Sequence, residues 1–401
     1  MAYQTTTTTS YGKRLTGSFK QIGTGFTMLI IGTILLFWNE GSFVKTKKSL
    51  QEAESVLVRV NDVSEVDPSL NGKLIHASAF ADTKETLSDG LFGINEVAIA
   101  ISRKVEYYQY EERTSTQTKD KIGGGQETVT TYTYEKQWSS VPVISERFSD
   151  PEYKSSNFTL TTIESKSERA KDVSFGGYKL PGFIISSISG YVPANAELTA
   201  SEIAQWEQVV SPKAGDESDN QTVHVIGNVV YFGKTPSSPS IGDLRVTLTK
   251  VMPADISIIA KVNGNTFEQF IASNGKTVSQ VSMGIVSAES MFASAHSSNK
   301  MWTWILRFVG FFLVIGAFKA IFSFLPTLFK VLPFLGNIVG AGVGLVCSIV
   351  GGAWSLIIIA IAWLWYRPLI GILLLAIAIA GIWFLKSRKK VVEEVTEGSN
   401  E

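Results

Sequence analysis

The sequence has little of what most enzymes and metal proteins use: it contains a single cysteine, Cys347, and three histidines. One cysteine excludes an intramolecular disulfide, and Cys347 lies in an apolar run, where a thiol acts as a small apolar side chain. His76, His224 and His296 are far apart, and none has a second His or Cys at metal-ligand spacing. We therefore predict no metal and no cofactor, and retain His76 only as a weak site candidate.

Charge and motifs exclude further classes. The 36 basic and 36 acidic residues balance, so net charge gives no reason to expect nucleic acid as a partner. No nucleophile elbow, phosphate loop or dinucleotide fingerprint stands in a strand-to-helix setting. Gly123-Gly124-Gly125 is interpreted as part of a mobile surface loop, and the glycosylation sequons at Asn157 and Asn220 are no more than chance gives. The sequence leans away from an enzyme without deciding the point.

Apolar residues, in contrast, are concentrated in four runs that suit transmembrane helices of about 20 residues. The first run, 21–38, follows three basic residues and has no small-residue cleavage site, which indicates an uncleaved signal anchor. The predicted segments are a disordered, Thr-rich cytoplasmic N-terminus (1–20), transmembrane helices at 21–38, 302–324, 335–365 and 369–385, a central domain (39–301) and a cytoplasmic tail (386–401).

The basic flanks predict which side each segment occupies. Four crossings place both termini on one side, together with Arg14, Lys330 and the terminal basic cluster. The count of basic residues favours the cytoplasm for that side. The central domain would then face the periplasm, exterior or lumen, and the integral membrane protein would lie in a bacterial cytoplasmic membrane or, in a eukaryote, in the endoplasmic reticulum or inner nuclear membrane.

The sequence of the central domain predicts a β-rich α+β fold. Val223 to Ile226 and Val229 to Phe232 flank Gly227-Asn228, a hairpin signal, and Asn263-Gly264-Asn265 predicts a second hairpin with a type I′ turn. Asp243 and Arg245 would form a surface ion pair on one strand face. Further predictions are a helical stem at 42–60, strands at 104–112, 128–138 and 244–250, with aromatic cross-strand pairs between the first two, and helices near 201–210 and 287–298.

Two features of the membrane segments are site candidates. The ridge of small residues in the third helix suits either a dimer seam or pore lining, or packing inside the bundle, and both stay open. At the outer interface, Glu40 and Arg367 are predicted to form an ion pair, the alternative being two independently snorkelling side chains. The ridge comprises Gly336, Gly340, Gly344, Ser348 and Gly352; the proposed junction comprises Asn39, Glu40, Gly41, Arg367 and Pro368, with Arg307 as a further weak candidate.

Short strings in order along nearly the whole chain resemble the transmembrane protein 43 family, also called LUMA. They include Asn39-Glu40-Gly41, Gly72-Lys73-Leu74-Ile75-His76, Leu87-Ser88-Asp89, Gly242-Asp243-Leu244-Arg245-Val246 and Tyr366-Arg367-Pro368-Leu369. The resemblance implies four spans, cytoplasmic termini and a luminal domain. Animal members are associated with the endoplasmic reticulum and inner nuclear membrane, where they are thought to organise complexes with emerin and lamins. The lone cysteine and compact tail suit a bacterial member.

Three functions are therefore weighed. The leading hypothesis is a non-enzymatic scaffold that organises membrane proteins or membrane structure. The alternative is a lipid or ligand sensor, or an enzyme, with its site where the domain meets the membrane. A channel or transporter ranks lower, because no acidic residue lies in mid-membrane. Expected partners are the lipid bilayer, other membrane proteins and further copies of the chain.

Overall fold

The computed structural model describes residues 3–214 and 221–367. They form two compact units. The helical unit comprises residues 8–50, 119–127 and, within the described part, 294–367, and the β-rich unit comprises the remainder. The predicted fourth helix (369–385), the tail (386–401) and Pro368 lie outside the described residues.

Three helices are long and apolar enough to cross a membrane, at Tyr11–Val56, Ala288–Phe329 and Pro333–Tyr366. The first is one continuous helix of 46 residues, so the predicted span and the predicted stem are a single element. The second likewise joins the helix predicted near 287–298 to the span that follows it. The helices are α1 (Tyr11–Val56), α2 (Gly182–Ile185), α3 (Ala200–Ala214), α4 (Ala288–Ile321), α5 (Phe324–Phe329) and α6 (Pro333–Tyr366).

Within the helical unit, α1 and α4 pack antiparallel through small residues. A Cβ on Gly25 of α1 would lie 2.8 Å from the Ala317 carbonyl oxygen, and one on Gly32 would lie 2.8 Å from the Val314 side chain. Further along, Gly310 of α4 gives space to Leu36 of α1. Glycine at such positions lets two helix backbones approach closely, and the resulting close packing holds helices together in lipid.

The third long helix, α6, runs parallel to α1 and antiparallel to α4. The Trp354 indole donates a hydrogen bond to the Thr33 hydroxyl at 3.0 Å, and the rings of Phe37 and Tyr366 lie 5.4 Å apart. A Cβ on Gly351 would lie 2.9 Å from the Ile315 Cα. Alternating directions are what three successive crossings require, so the described helices agree with the predicted order of spans.

The β-rich unit contains two larger sheets. The strands are β1 (Tyr3–Thr9), β2 (Val58–Arg59), β3 (Leu74–Asp82), β4 (Thr86–Asp89), β5 (Ile94–Val97), β6 (Ala100–Asp120), β7 (Gln126–Ser139), β8 (Lys166–Arg169), β9 (Ser174–Phe175), β10 (Tyr178–Lys179), β11 (Val192–Pro193), β12 (Val223–Ile226), β13 (Val229–Phe232), β14 (Leu244–Val251), β15 (Ala254–Asn263), β16 (Thr266–Glu268) and β19 (Gln280–Met283), with β17 (Phe270–Ile271) and β18 (Thr277–Val278) forming a separate pair, as do β4 and β5. The first larger sheet has the strand order β1-β7-β6-β14-β13-β12, and the second has the order β10-β9-β3-β15-β16.

Each larger sheet has its own hydrophobic core. Phe92, Trp206 and Phe232 pack together under the first sheet, beside α3. Phe175 and Phe267 belong to the core of the second sheet, which the short helix α2 also covers. Two cores account for how a chain segment without any disulfide holds a mixed α+β structure.

Local signals in the sequence locate most of these elements. Both predicted hairpins are confirmed: Ile226 pairs with Val229, and Asn263 pairs with Thr266. The second turn differs in type, because Gly264 has a φ of 61° while no non-glycine residue in that turn has a positive φ. A glycine at the first central position is the pattern of a type II′ turn, not type I′.

The N-terminus differs from its prediction. Residues Tyr3–Thr9 form the edge strand β1 beside β7, not a disordered segment. The Gln4 amide donates a hydrogen bond to the Thr131 hydroxyl at 3.2 Å, and Tyr3 packs its ring 5.9 Å from that of Tyr132. Threonine is β-branched and favours strands, so the low-complexity composition was a misleading sign of disorder.

Aromatic side chains join β6 and β7, as predicted. The Tyr108 and Trp138 rings lie 5.1 Å apart, and Tyr110 of β6 and Tyr134 of β7 both contact the ring of Tyr153, at 5.0 and 4.0 Å. Nearby, the Asn157 amide replaces a strand partner: it accepts a hydrogen bond from the Tyr110 N–H at 2.8 Å and donates one to the Tyr110 carbonyl at 2.9 Å. Asn157 is therefore a structural residue of this sheet edge. Asn220, the other sequon residue, lies outside the described part.

The end of the β6–β7 hairpin, residues 119–127, belongs to the helical unit; we call it the hairpin tip. The Asp120 carboxylate lies between the guanidinium of Arg14, at 2.8 Å, and the ammonium of Lys330, at 2.6 Å. A Cβ on Gly124 would clash with the Tyr11 ring, so the tip is not the free surface loop predicted from its glycines. The tip thus lies at the end of the bundle that carries Arg14 and Lys330.

Candidate functional site: a buried ionic cluster

A fully buried carboxylate lies among the three long helices. Glu40 of α1 accepts hydrogen bonds from Arg307 of α4 through Nε at 2.5 Å and Nη2 at 2.8 Å. The indole of Trp363 in α6 donates a third hydrogen bond to Glu40, at 2.9 Å. One carboxylate thus connects all three helices, and its two oxygens receive three donors.

Two indoles surround the guanidinium of Arg307. Its Cζ lies 4.8 Å from the Trp304 ring centroid and 5.9 Å from that of Trp363. Cation–π contacts of this kind strengthen when water is excluded. Glu40, Arg307, Trp304 and Trp363 form what we call the ionic cluster.

The predicted Glu40–Arg367 ion pair is wrong. Arg307, retained only as a weak candidate, is the partner of Glu40. Arg367 instead lies over two rings, 5.0 Å from the Phe43 centroid and 5.2 Å from that of Trp363. The prediction paired Glu40 with the arginine of the turn at the same interface, whereas the antiparallel register of α1 and α4 brings Arg307 to the level of Glu40. The signal was present, since an arginine inside a predicted span needs an acidic partner.

Other junction residues hold the helices around this cluster. The buried Asn39 amide donates a hydrogen bond to the Thr303 carbonyl at 3.0 Å, tying α1 to α4. A Cβ on Gly41 would lie 2.4 Å from the Tyr366 ring, so glycine is needed for α6 to approach α1. The structure thus brings Asn39, Glu40 and Gly41 into one site. Such an arrangement fixes helix register.

The predicted small-residue ridge of α6 does not form one continuous contact. Gly336 lies against Lys330, and Gly340 lies 3.6 Å from Pro326, both in the connection before α6. Gly344 has open space beside it within the described structure, and the Ser348 hydroxyl donates a hydrogen bond to the Gly344 carbonyl. Only Gly352, 3.4 Å from the Phe311 ring, meets another long helix. The ridge therefore divides into a connection contact, an open face and a helix contact.

His76, the remaining candidate, lies in β3 of the β-rich unit. Its Nε2 is 2.8 Å from the Val286 carbonyl oxygen. No group of three or more metal-ligating side chains is formed by the described residues. His76 is a hydrogen-bonded structural residue of this sheet.

Asp243 is a buried acid of the β-rich unit, not the surface residue that its sequence predicted. Asp243 is buried and accepts hydrogen bonds from the Tyr231 hydroxyl at 2.5 Å and the Ser240 N–H at 2.7 Å. Burial raises the pKa of Asp243 above its usual 3.8, although these two hydrogen bonds lower it. Arg245 pairs instead with Glu106 at 2.8 Å. The predicted Asp243–Arg245 surface pair is therefore wrong.

With this geometry established, comparison with known proteins identifies the chain's relatives. A family model described as Transmembrane protein 43 matches residues 107–368. The chain belongs to the transmembrane protein 43 family. Its relatives include Transmembrane protein 43 of Homo sapiens, 27% identical over 375 residues, which cover 91% of this chain and 89% of the human protein.

The relatedness extends to rodents and insects. Transmembrane protein 43 of Mus musculus is 28% identical over 378 residues, covering 91% of this chain and 89% of the mouse protein. The Drosophila melanogaster homolog is 27% identical over 380 residues, covering 90% of this chain and 93% of the fly protein. No solved structure matches the chain. The resemblance drawn from the sequence is thereby confirmed, and this member of the transmembrane protein 43 family is a membrane protein with several apolar helices.

Proposed function

We propose that this family member is a non-enzymatic integral membrane scaffold that organises membrane protein complexes or membrane structure. The observation that carries the proposal is the saturation of the ionic cluster. Glu40 is fully buried and already has three donors, and the Arg307 guanidinium lies against the indoles of Trp304 and Trp363. A catalytic acid or a ligand-binding carboxylate needs access to its substrate, whereas a structural one needs partners in place.

The apolar outer face of α6 supports the same proposal. Ile338, Leu345, Ile349 and Leu356 are all exposed and recur at intervals of seven and four, which places them on one side of the helix. A rigid bundle that presents such a face offers a fixed surface to lipid, to other membrane proteins or to further copies of the chain.

The proposal includes a location. We assign the protein to a bacterial cytoplasmic membrane, and the basic flanks favour an orientation with the N-terminal end of α1 inside and the Glu40 end at the outer surface. The central domain is assigned to the outside.

Photocrosslinking in cells tests the scaffold. A photoreactive amino acid would replace Ile349, on the exposed face of α6, and Val314, which is buried, would serve as the matched control position. The scaffold predicts discrete, recurrent protein adducts at 349 and none at 314. Purification in native lipid discs would then identify the adducts.

Two outcomes would contradict the scaffold. One is the recovery of lipid adducts alone at position 349 and at a second exposed position, Leu356. The other is a partner set that is unchanged when Glu40→Gln loosens the bundle, because a scaffold's contacts depend on the fixed arrangement of its helices.

A further inference from the structure

The hairpin tip combines a fixed position with an exposed apolar residue. Besides the Asp120 ion pairs, the Gly123 N–H donates a hydrogen bond to the Val331 carbonyl at 3.0 Å, and Arg14 donates one to the Gly124 carbonyl at 2.8 Å. Immediately before Gly123, Ile122 is 88% exposed. The hairpin thus holds an isoleucine outward through polar contacts on either side of it.

The connection that receives the tip is itself apolar and exposed. Phe329, Val331, Leu332 and Phe334 all have exposed side chains, and the hydrogen bond from Gly123 to Val331 places Ile122 beside them. Monomeric soluble proteins rarely leave a contiguous apolar patch of this kind in water. The patch therefore has an occupant.

Its place in the chain indicates which occupant. One membrane-spanning candidate ends at Phe329 and the next begins at Pro333, so the patch lies where the chain turns between two spans. At this end of α1, Lys13 and Lys20 are exposed. Apolar side chains beside lysines suit the boundary between headgroups and acyl chains of an anionic bilayer.

We propose that the hairpin tip is a membrane-interface anchor, with Ile122 inserted beside the α5–α6 connection into the headgroup–acyl boundary of anionic lipid. Asp120 acts as the positioning residue, because its pairs with Arg14 and Lys330 hold the tip against the bundle. This anchor is independent of the scaffold function, since a sensor or a transporter could carry it equally well.

A site-specific fluorophore tests the anchor in the full-length chain. Cys347→Ser removes the single native thiol, and Ile122→Cys then gives one position for an environment-sensitive label. The matched control is Ile226→Cys, which is 55% exposed in the β-rich unit. Each protein would be reconstituted into phosphatidylcholine–phosphatidylglycerol vesicles and quenched with nitroxide-labelled lipid or with aqueous iodide.

The anchor predicts that nitroxide lipid quenches the label at 122 several-fold more than the label at 226, with the reverse order for iodide. Asp120→Asn should reduce lipid quenching at 122, whereas Glu127→Gln, which removes the tip's separate pair with Lys121, should not. Equal iodide quenching at 122 and 226, with no effect of nitroxide lipid at either, would overturn the proposal. So would protection of position 122 from both quenchers, which would mean that protein covers the tip.

Discussion

Glu40 and Arg307, far apart in the sequence, meet in a bidentate ion pair of 2.5 and 2.8 Å between α1 and α4. Because Glu40 has no solvent exposure, its carboxylate cannot turn to water when Arg307 is lost. Removal of one member of a buried pair is far more costly than its net contribution to stability, since it leaves an uncompensated charge.

Glu40→Gln and Arg307→Gln should each destabilise the helical unit by about 3–5 kcal/mol. Arg367→Gln is the matched control, because Arg367 contacts aromatic rings and not Glu40; its loss should cost about 1–2 kcal/mol at most. The free energy of unfolding of the three variants would be measured in mixed micelles. Equal losses at positions 307 and 367 would contradict the assigned pairing.

Charge reversal separates the two candidate partners of Glu40 directly. Glu40→Arg combined with Arg307→Glu should recover part of the stability that either single change removes, because the pair re-forms with opposite polarity. Glu40→Arg combined with Arg367→Glu should recover none. Thermal unfolding of the detergent-solubilised protein, followed by tryptophan fluorescence, gives both comparisons, and rescue only by the second combination would restore the original sequence prediction.

Two glycines of α1, two residues apart, have opposite surroundings. Gly25→Ala should cost about 1–3 kcal/mol through overpacking, because its Cβ would lie 2.8 Å from the Ala317 carbonyl oxygen. Gly23 has nothing within 4 Å, so Gly23→Ala should be neutral or slightly stabilising through helix propensity. The midpoints of detergent-induced unfolding would show the contrast, and equal effects would argue against the described α1–α4 contact.

Two glycines of α6 also have opposite surroundings. Gly351→Ala should destabilise the bundle, because its Cβ would lie 2.9 Å from the Ile315 Cα. Gly344→Ala meets nothing within 4 Å among the described residues and should leave the stability of the bundle unchanged. A change in oligomeric state with Gly344→Ala at constant stability, measured by light scattering in detergent, would assign the open face to contact between copies.

Asp243 gives the β-rich unit a pH dependence. Burial raises its pKa above 3.8, so the folded state holds this proton more tightly than the unfolded state does. The resulting stabilisation is present below about pH 3.8 and is lost as pH rises through the higher folded pKa. The midpoint temperature of thermal unfolding of the wild type should therefore fall relative to that of Asp243→Asn as pH rises from about 4. Midpoints of the two proteins that change in parallel with pH would exclude a raised pKa for Asp243.

What the sequence predicts well is set by local chemistry. The alternation of Leu244 to Lys250, the glycine turns at 227 and 264, and the apolar runs determine strands, hairpins and spans within a few residues. The long helices extend beyond the predicted spans because their polar residues still favour helix. The thickness of the membrane limits only the length of the apolar part of each helix. Hydropathy therefore locates the membrane span and not the ends of the helix.

Pairings between distant segments were not predictable in this way. The partner of Glu40 depends on the register of two antiparallel helices, which Gly25, Gly32 and Gly310 set by close approach. The strand β1 depends on an available edge at β7. In both cases the residues that decide the pairing are distant in the sequence. The composition of the single segment favoured a different prediction.

The two hydrogen bonds between the Asn157 amide and the Tyr110 backbone have a consequence for biosynthesis. Transfer of an oligosaccharide requires the Asn157 amide nitrogen, which in the folded protein already donates to the Tyr110 carbonyl. If the chain is made in a compartment with glycosylation enzymes, the sequon is open only before this sheet edge closes. A glycan at Asn157 would then mark the molecules that failed to mature.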